Sequence, residues 1–282
     1  MANPIAINGT HYRQEQYANS IVKLMRQQFN IRSDFSRDFE GNPIFGAVNI
    51  PVRGADVTLA NYDILNGVSL TQSSTTYTQI LVDNHKAINE LIDSYEANAV
   101  PDNVVAQRIE SASYVIGQTL ELSAINALID GGTTELDTTA LSTSTAYSTI
   151  ATSIKLLKAR GIMATDLRVA VSADTELLLL TDEKFSNTSG QLGAELIRDG
   201  VIGKINGVNV KANYIMPANV QYIVYCPIWC QAIDSWKILP NIVDLRDGTH
   251  IGASALQGRM IYKDVVTNAL AVQVKLNGSV SI

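Results

Sequence analysis

The sequence predicts an α+β fold built around one long helix, with a projecting two-stranded ribbon before it and interspersed strands and helices after it. Three observations carry this. Val105, Ile109, Ala112, Ile116, Leu120 and Ala124 step by threes and fours through one unbroken stretch. Upstream, GAVNIPVRGADVTLANY and TYTQILVD alternate apolar and polar residues on either side of a Gly/Ser/Thr-rich connection, which reads as a hairpin. Downstream, strand-like and helix-like segments follow one another without the regular βαβ rhythm of a doubly wound sheet.

The helix has clear ends. Pro101 fits a first turn, Asp102 complements the positive helix terminus, and Gly131–Gly132 stop it. Its length of about 30 residues would span on the order of 43 Å, against a mean of about 12 residues in globular proteins. Such a helix serves as the spine of an elongated unit.

The ribbon is thin. Each arm of about 12–15 residues reaches roughly 40–50 Å, and Pro51 confines the first strand to an edge or a projection. The tip, Asn66 to Thr75, is polar and rich in Gly, Ser and Thr, and the arms carry few large apolar side chains. An isolated two-stranded ribbon is marginal in water, so this one is expected to find its partner on another molecule.

Further elements follow in order. Residues 13–29 read as an amphipathic helix through Tyr17, Ile21, Leu24 and Met25, and 30–43 as irregular chain. Thr133 to Thr145 reads as a linker or crossover. A helix over 146–160 turns Ile150, Ile154 and Leu157 inward, a strand covers Leu167–Ser172, and a helix runs from Asp174 to about Asp182. Strands are expected at 208–214 and 220–226, with others near 231–245 and 259–276 returning to the sheet beside the long helix.

Composition bounds the function. With 282 residues, 46% hydrophobic and 17% charged, the chain is globular, and a net charge of −6 argues against general affinity for nucleic acid. Arg13, Lys23, Arg26 and Arg32 outnumber Glu15 near the start, a pattern read as a solvated helix face. Met1 to Tyr12 holds no signal-peptide core, and no apolar run approaches the roughly 18 residues of a membrane span. Use in a reducing cytoplasm is therefore expected. Cys226 and Cys230 sit among Pro227, Ile228 and Trp229, which suits buried inert thiols better than a metal or redox pair.

Catalytic chemistry is thin. His11, His85 and His250 are scattered, and His250 beside Asp247 in RDGTHIG reads as a surface hydrogen-bonding group. GVIGKING (200–207) lacks the spacing of a phosphate loop and reads as a Gly-rich turn between strands. Asp182 and Glu183 lie beside Lys184 in a polar loop and read as solvent-facing. No catalytic, cofactor-binding or metal-ligating residue is assigned, no cofactor is expected, and the chain reads as a structural protein rather than an enzyme.

The order of segments resembles the Hong Kong 97-type capsid fold of tailed double-stranded DNA phages, over nearly the whole chain. VNIPVRGADVTLANYD followed by TYTQILVDNHKAINELIDSYEANAVPD is similar to the extended loop and its return into the spine helix. RVAVSADTELLLL with GVIGKINGVNVKANYIMP resembles the axial domain, and GRMIYKDVVTNALAVQVK the closing strand. The resemblance implies an N-terminal arm (1–40), an extended loop (41–82), a peripheral domain with the spine helix (83–135), an axial domain (136–239) and peripheral return strands (240–282).

It also implies a major capsid protein, self-assembling into hexamers and pentamers of an icosahedral head around packaged double-stranded DNA. The DNA would be met non-specifically on the inner face, a portal would share the shell, and no membrane would take part. The location implied is the virion capsid, assembled in the bacterial host cytoplasm. The short arm after Met1 implies a separate scaffolding protein rather than a cleaved leader domain. DLRDGTHIGAS (244–254) would meet neighbours near threefold axes, so Arg246, Asp247 and His250 join Arg53 and Asp56, near the outer end of the first ribbon strand, as expected contacts between subunits. Some relatives cross-link through a loop lysine, but no lysine lies between Arg32 and His85. Two other readings stay open: an encapsulin-type nanocompartment shell, and a soluble α+β enzyme.

Overall fold

The computed structural model describes residues 6–7, 11–12, 29–37, 46–53, 57–70, 72, 75–93, 104–185, 201–245, 249 and 251–278. In chain order the strands are β1 (Ala6–Ile7), β2 (His11–Tyr12), β3 (Ala47–Arg53), β4 (Thr75–Leu81), β5 (Asn84–Asp93) and β6 (Thr133–Thr134). Then come β7 (Arg168–Val171), β8 (Val201–Ile205), β9 (Val208–Ala212), β10 (Val220–Tyr225), β11 (Cys230–Asp244), β12 (Ala253–Val266) and β13 (Val272–Leu276). Among the described residues three α-helices accompany them: α1 (Val104–Gly131), α2 (Ala146–Ala159) and α3 (Ala173–Leu180). The expected helix over 13–29 falls outside the described residues, apart from Phe29.

The expected spine is α1, 28 residues long, and it packs on two different sheets. Its first half lays Ile109 and Ala112 against Ile88, Ile92, Ile242 and Leu256 of the three-stranded sheet β11-β12-β5. Its second half lays Ala124, Ile125 and Leu128 against Ile223, Val272 and Val274 of the six-stranded sheet β6-β13-β10-β7-β9-β8. The buried stripe therefore drifts from the expected positions: Ala112 and Ala124 are buried, and Glu121, Ile125 and Leu128 join them.

Strand periodicity explains why the six-stranded sheet is apolar on both faces. Val169, Val171, Tyr222 and Val224 point to one side, where they meet Ile150, Ile154 and Leu157 of α2 and Leu179 of α3. Ala170, Ile223 and Tyr225 point to the other, towards α1. With both faces covered, the strands read as continuous hydrophobic runs rather than alternating ones. The inward residues expected for α2 are the buried ones, and Ser172 caps α3, its hydroxyl accepting from Thr175 N at 3.4 Å.

GVIGKING turns out to be β8 followed by a two-residue hairpin turn into β9. Asn206 and Gly207 both take positive φ, 50° and 82°, as a turn matched to strand twist requires. Asn84–Asp93, given no element by the sequence reading, is an edge strand, pairing with β12 from Asn84↔Tyr262 to Ala253↔Asp93. The stretch expected as strand near 259–276 is two strands, β12 and β13, and the sheets they join both lie against α1. Within the six-stranded sheet β13 lies between β6 and β10, antiparallel to β10.

The ribbon β3–β4 pairs from Ala47↔Leu81 to Arg53↔Thr75. Its base is not free: Val48, Ile50, Ile80 and Val82 rest on Ile233, Ile261 and Val265, which belong to β11 and β12. The expectation that the ribbon finds all its partners on another molecule is thus corrected at its root. A period of two places enough β-branched residues on one face to seal the base against its own sheet.

Candidate functional site

Among the described residues no group of three or more His, Cys, Asp or Glu side chains could hold a metal ion, and no helix is long and apolar enough to cross a membrane. A groove between α1 and the three-stranded sheet is lined by Lys86, Ser123, Asn126, Asp130 and Lys263 among others, with no histidine or cysteine. Cys226 and Cys230 are free and buried. Burial pushes both thiols up, away from the reactive thiolate.

Titratable groups gather instead into two polar knots that tie segments together. The first anchors residues 30–36. Glu121, buried near the middle of α1, accepts through Oε1 from Asn30 N at 3.0 Å, Ile31 N at 2.8 Å and Asn213 Nδ2 at 2.7 Å, and through Oε2 from Arg32 N at 3.0 Å. Arg32 then donates from Nε to Asp264 at 3.0 Å and from Nη2 to Asp234 at 2.9 Å. Burial pushes the Asp264 carboxyl up despite Arg32 beside it. Asp34 receives Lys211 Nζ at 2.9 Å and the Tyr225 hydroxyl at 2.9 Å. Apolar packing reinforces the knot, with Ile31 and Phe35 in the core around Leu128. The Phe29 ring stacks on Tyr114 at 5.3 Å and lies over Gly117, where an added Cβ would fall 2.5 Å from it.

The second knot pins the crossover after α1. Lys275, buried on β13, donates to the Asp137 backbone oxygen and to Asp137 Oδ2 at 2.9 Å. The Tyr222 hydroxyl donates to Glu135 Oε1 at 2.7 Å, and Ser153 Oγ bonds the same two groups. Burial pushes the Tyr222 phenol far up, keeping it a neutral donor. Hydrogen bonds from Thr139 and Lys275 hold the Asp137 carboxyl well below its ordinary range. Apart from Asp264 Oδ2, which is buried without a partner, the bonds of both knots close inside the subunit and brace the fold.

The outer ribbon is the opposite case. Asp63 closes a short turn: its backbone oxygen accepts from Gly67 N at 2.8 Å, Oδ1 from Leu65 N at 2.9 Å and Oδ2 from Asn66 Nδ2 at 2.7 Å. Gly67 takes a φ of 70°, open to glycine at little cost. Bonding to the Leu65 N–H and the Asn66 amide holds the Asp63 carboxyl below its usual range. Around this turn Leu59 (101%), Ile64 (88%), Leu65 (91%) and Leu70 (102%) stand in solvent, with Val57, Tyr62 and Val68 also exposed.

The contact residues expected from sequence are mostly beyond reach of this geometry. Arg53 ends β3 opposite Thr75. Asp56, Arg246, Asp247 and His250 lie outside the described residues. The segment holding the last three joins β11 to β12, closed by Leu245 N donating to Ala253 O at 2.9 Å. Sequence reading missed the apolar residues of 57–70, because they are scattered among polar ones without helical or strand period.

No family model matches the sequence, and no curated protein matches it. Structural comparison is decisive where sequence is silent. The fold superposes on a structure from Mycobacterium phage Che8 with a TM-score of 0.76 at 19% identity, covering 96% of this chain and 98% of that one. The capsid structure of Cyanophage P-SCSP1u gives 0.76 at 10% identity, with 98% and 97% covered.

The chain has the phage capsid fold. A third structure, the asymmetric unit of the mature capsid of bacteriophage PhiM1, agrees at 0.72 and 14% identity over 98% and 95% of the two chains. The Hong Kong 97-type architecture expected from segment order is therefore the one observed.

Proposed function

We propose that this chain is a capsid shell protein that self-assembles into hexamers and pentamers of an icosahedral head enclosing double-stranded DNA. The observation carrying this reading is the match to phage capsid structures along almost the full length of both chains. A fold match over a single module would say little about use, since folds host many functions. Here arm root, ribbon, spine helix and both sheets are all present.

The division into arm (1–40), extended loop (41–82), peripheral (83–135 and 240–282) and axial (136–239) units belongs to the same proposal, as do a separate scaffolding protein, a portal and non-specific contact with packaged DNA. Contacts through Arg53, Asp56, Arg246, Asp247 and His250 remain part of it. One chain occupying slightly different environments needs segments that adapt while the core holds, and the braced core beside a projecting ribbon supports that division of labour.

Negative-stain microscopy of the purified protein tests the reading. Capsomers or closed particles are expected, and a small discrete oligomer under all assembly conditions would overturn it. Double-stranded DNA inside particles from infected cells separates a phage head from a nanocompartment filled with a cargo enzyme.

A further inference from the structure

We infer that Asp264 is a proton-dependent latch on residues 29–37: ionised, it holds Arg32 in place, and with a proton on Oδ2 it lets the segment loosen. The latch is a device of the single subunit and stands apart from the shell function proposed above.

The geometry is that of one cation serving two carboxylates. Arg32 Nε meets Asp264 Oδ1 of β12 at 3.0 Å, and Nη2 meets Asp234 Oδ1 of β11 at 2.9 Å. One side chain thus ties residues 29–37 to two strands of the three-stranded sheet. The other Asp264 oxygen, Oδ2, is buried with no hydrogen-bond partner. Its side chain is cut off from solvent, at 0% exposure against 13% for Asp234. Burying charge on an unpartnered oxygen is costly, and a proton on Oδ2 removes that charge.

The surrounding groups decide which carboxylate takes the proton. Residues 29–37 bring Arg32, Arg37 at 3.9 Å from Asp234, and Asp34, which is engaged by Lys211. From α1 come Glu121, accepting the Arg32 backbone N–H at 3.0 Å, and the Ser123 hydroxyl, which bonds Asp264. Asp234 on β11 is a second negative charge on the same arginine. On β12, burial first and Asp264 second push the Tyr262 phenol up, so it stays neutral. Lys86, Asp130 and Lys263 line the groove beside Asp264, and Lys263 is held by Asp83 at 2.9 Å. Burial raises the Asp264 carboxyl, and Arg32 and Ser123 offset this only in part.

Protonation acts oppositely on the latch and on the fold. Asp264 ionises more readily with Arg32 beside it than with Arg32 gone, so a proton favours the state in which Arg32 has let go. For global unfolding the sign reverses. The folded carboxyl sits above its ordinary 3.8, so its ionised form is a cost that is relieved as the pH falls through the folded value. Mild acid therefore loosens residues 29–37 without unfolding the subunit. Ordinary acid denaturation would loosen every region together.

Amide hydrogen exchange of the full chain, read by mass spectrometry and corrected for the intrinsic pH dependence of exchange, tests this between about pH 7 and about pH 4. Peptides covering 29–37 should lose protection about tenfold across that window, while those from β7, β10 and β13 keep theirs. Asp264→Asn keeps a carbonyl for Arg32 Nε and removes the charge. It should fold with an undiminished melting temperature, show loosened exchange at 29–37 already at neutral pH, and change no further in acid. Asp234→Asn removes the other carboxylate, and should loosen the same peptides at every pH while keeping the acid step.

A pH-independent wild type would overturn the latch, as would a loss of protection shared by all strands. An acid step retained in Asp264→Asn would place the proton on Glu121 or Asp34 and overturn it equally. Should Asp264→Asn fail to fold, NMR titration of carboxyl-labelled wild type decides. A midpoint for Asp264 above 3.8 that rises again in Arg32→Gln supports the latch, and one at or below 3.8 overturns it.

Discussion

Residues 29–37 and residues 57–70 invert each other's chemistry. At 29–37 the chain buries polar groups: an arginine, three backbone N–H donors and an asparagine, all answered by Glu121, Asp234, Asp264 and Asn213 from the same subunit. At 57–70 it leaves large apolar side chains exposed. Burying a polar group unpaired and exposing a large apolar patch are both costly. The first region removes the cost inside one chain, whereas the second carries it at the surface.

Excising Val52 to Gln79 and closing the gap with a two-residue turn gives the largest expected effect. Ile50, Ile80 and Val82 stay behind to cover Ile233, so near-normal circular dichroism is expected together with complete loss of closed particles. Outright unfolding would place the ribbon in the subunit's own core, and unimpaired assembly would remove it from the interface. Either result breaks the comparison.

Glu121→Ala attacks the other region. Four hydrogen bonds lose their acceptor at once inside a packed core, and a loss of about 3–5 kcal/mol is expected in urea denaturation. Glu121→Gln, which keeps one carbonyl oxygen for the same donors, should cost clearly less. If alanine cost under about 1 kcal/mol, residues 30–32 would not be held by that carboxylate.

The two cysteines are buried, and Cys230 packs in the same core as Ile31 and Phe35. Replacing Cys226 and Cys230 with Ala should cost only a packing penalty of roughly 1–3 kcal/mol and leave assembly unchanged. Reductant added to wild-type protein should do nothing, and assembly lost on its addition would contradict their reading as inert thiols.

The smallest effect expected is a pH dependence at the second polar knot. Asp137 is held below its ordinary value of 3.8 by Thr139 and Lys275. A depressed carboxyl adds stability that is full above its unfolded value and lost as the pH falls through the folded one. Stability measured from pH 6 down towards pH 2 should therefore fall less steeply for Asp137→Asn than for wild type, with the difference confined below about pH 4.5. Parallel curves across that window would show that Asp137 and Lys275 contribute nothing by their pairing.

Much of this molecule was legible locally. The apolar stripe of α1 and its Gly131–Gly132 stop, the inward face of α2, the turn at Asn206–Gly207 and the apolar runs of β7 and β10 all follow from periodicity and turn chemistry. These are properties of neighbours in sequence, and short-range sterics suffices to set them. The spine, the ribbon and the α+β class could thus be read in order, and that order was enough to suggest the fold.

What only the tertiary structure decided depends on partners far away along the chain. Nothing local marks Asn84–Asp93 as a strand: Ala87, Ile88, Leu91 and Ile92 recur at helical spacing, and pairing with β12 overrides it. Nothing in the sequence singles out Glu121, yet its donors come from as far as 91 residues earlier in the chain. The apolar residues of 57–70 follow no period, and they lie exposed rather than on a face turned to the core. Periodicity reports the face an element turns to its own core, and it is silent about buried charges with distant partners and about contacts completed by another molecule.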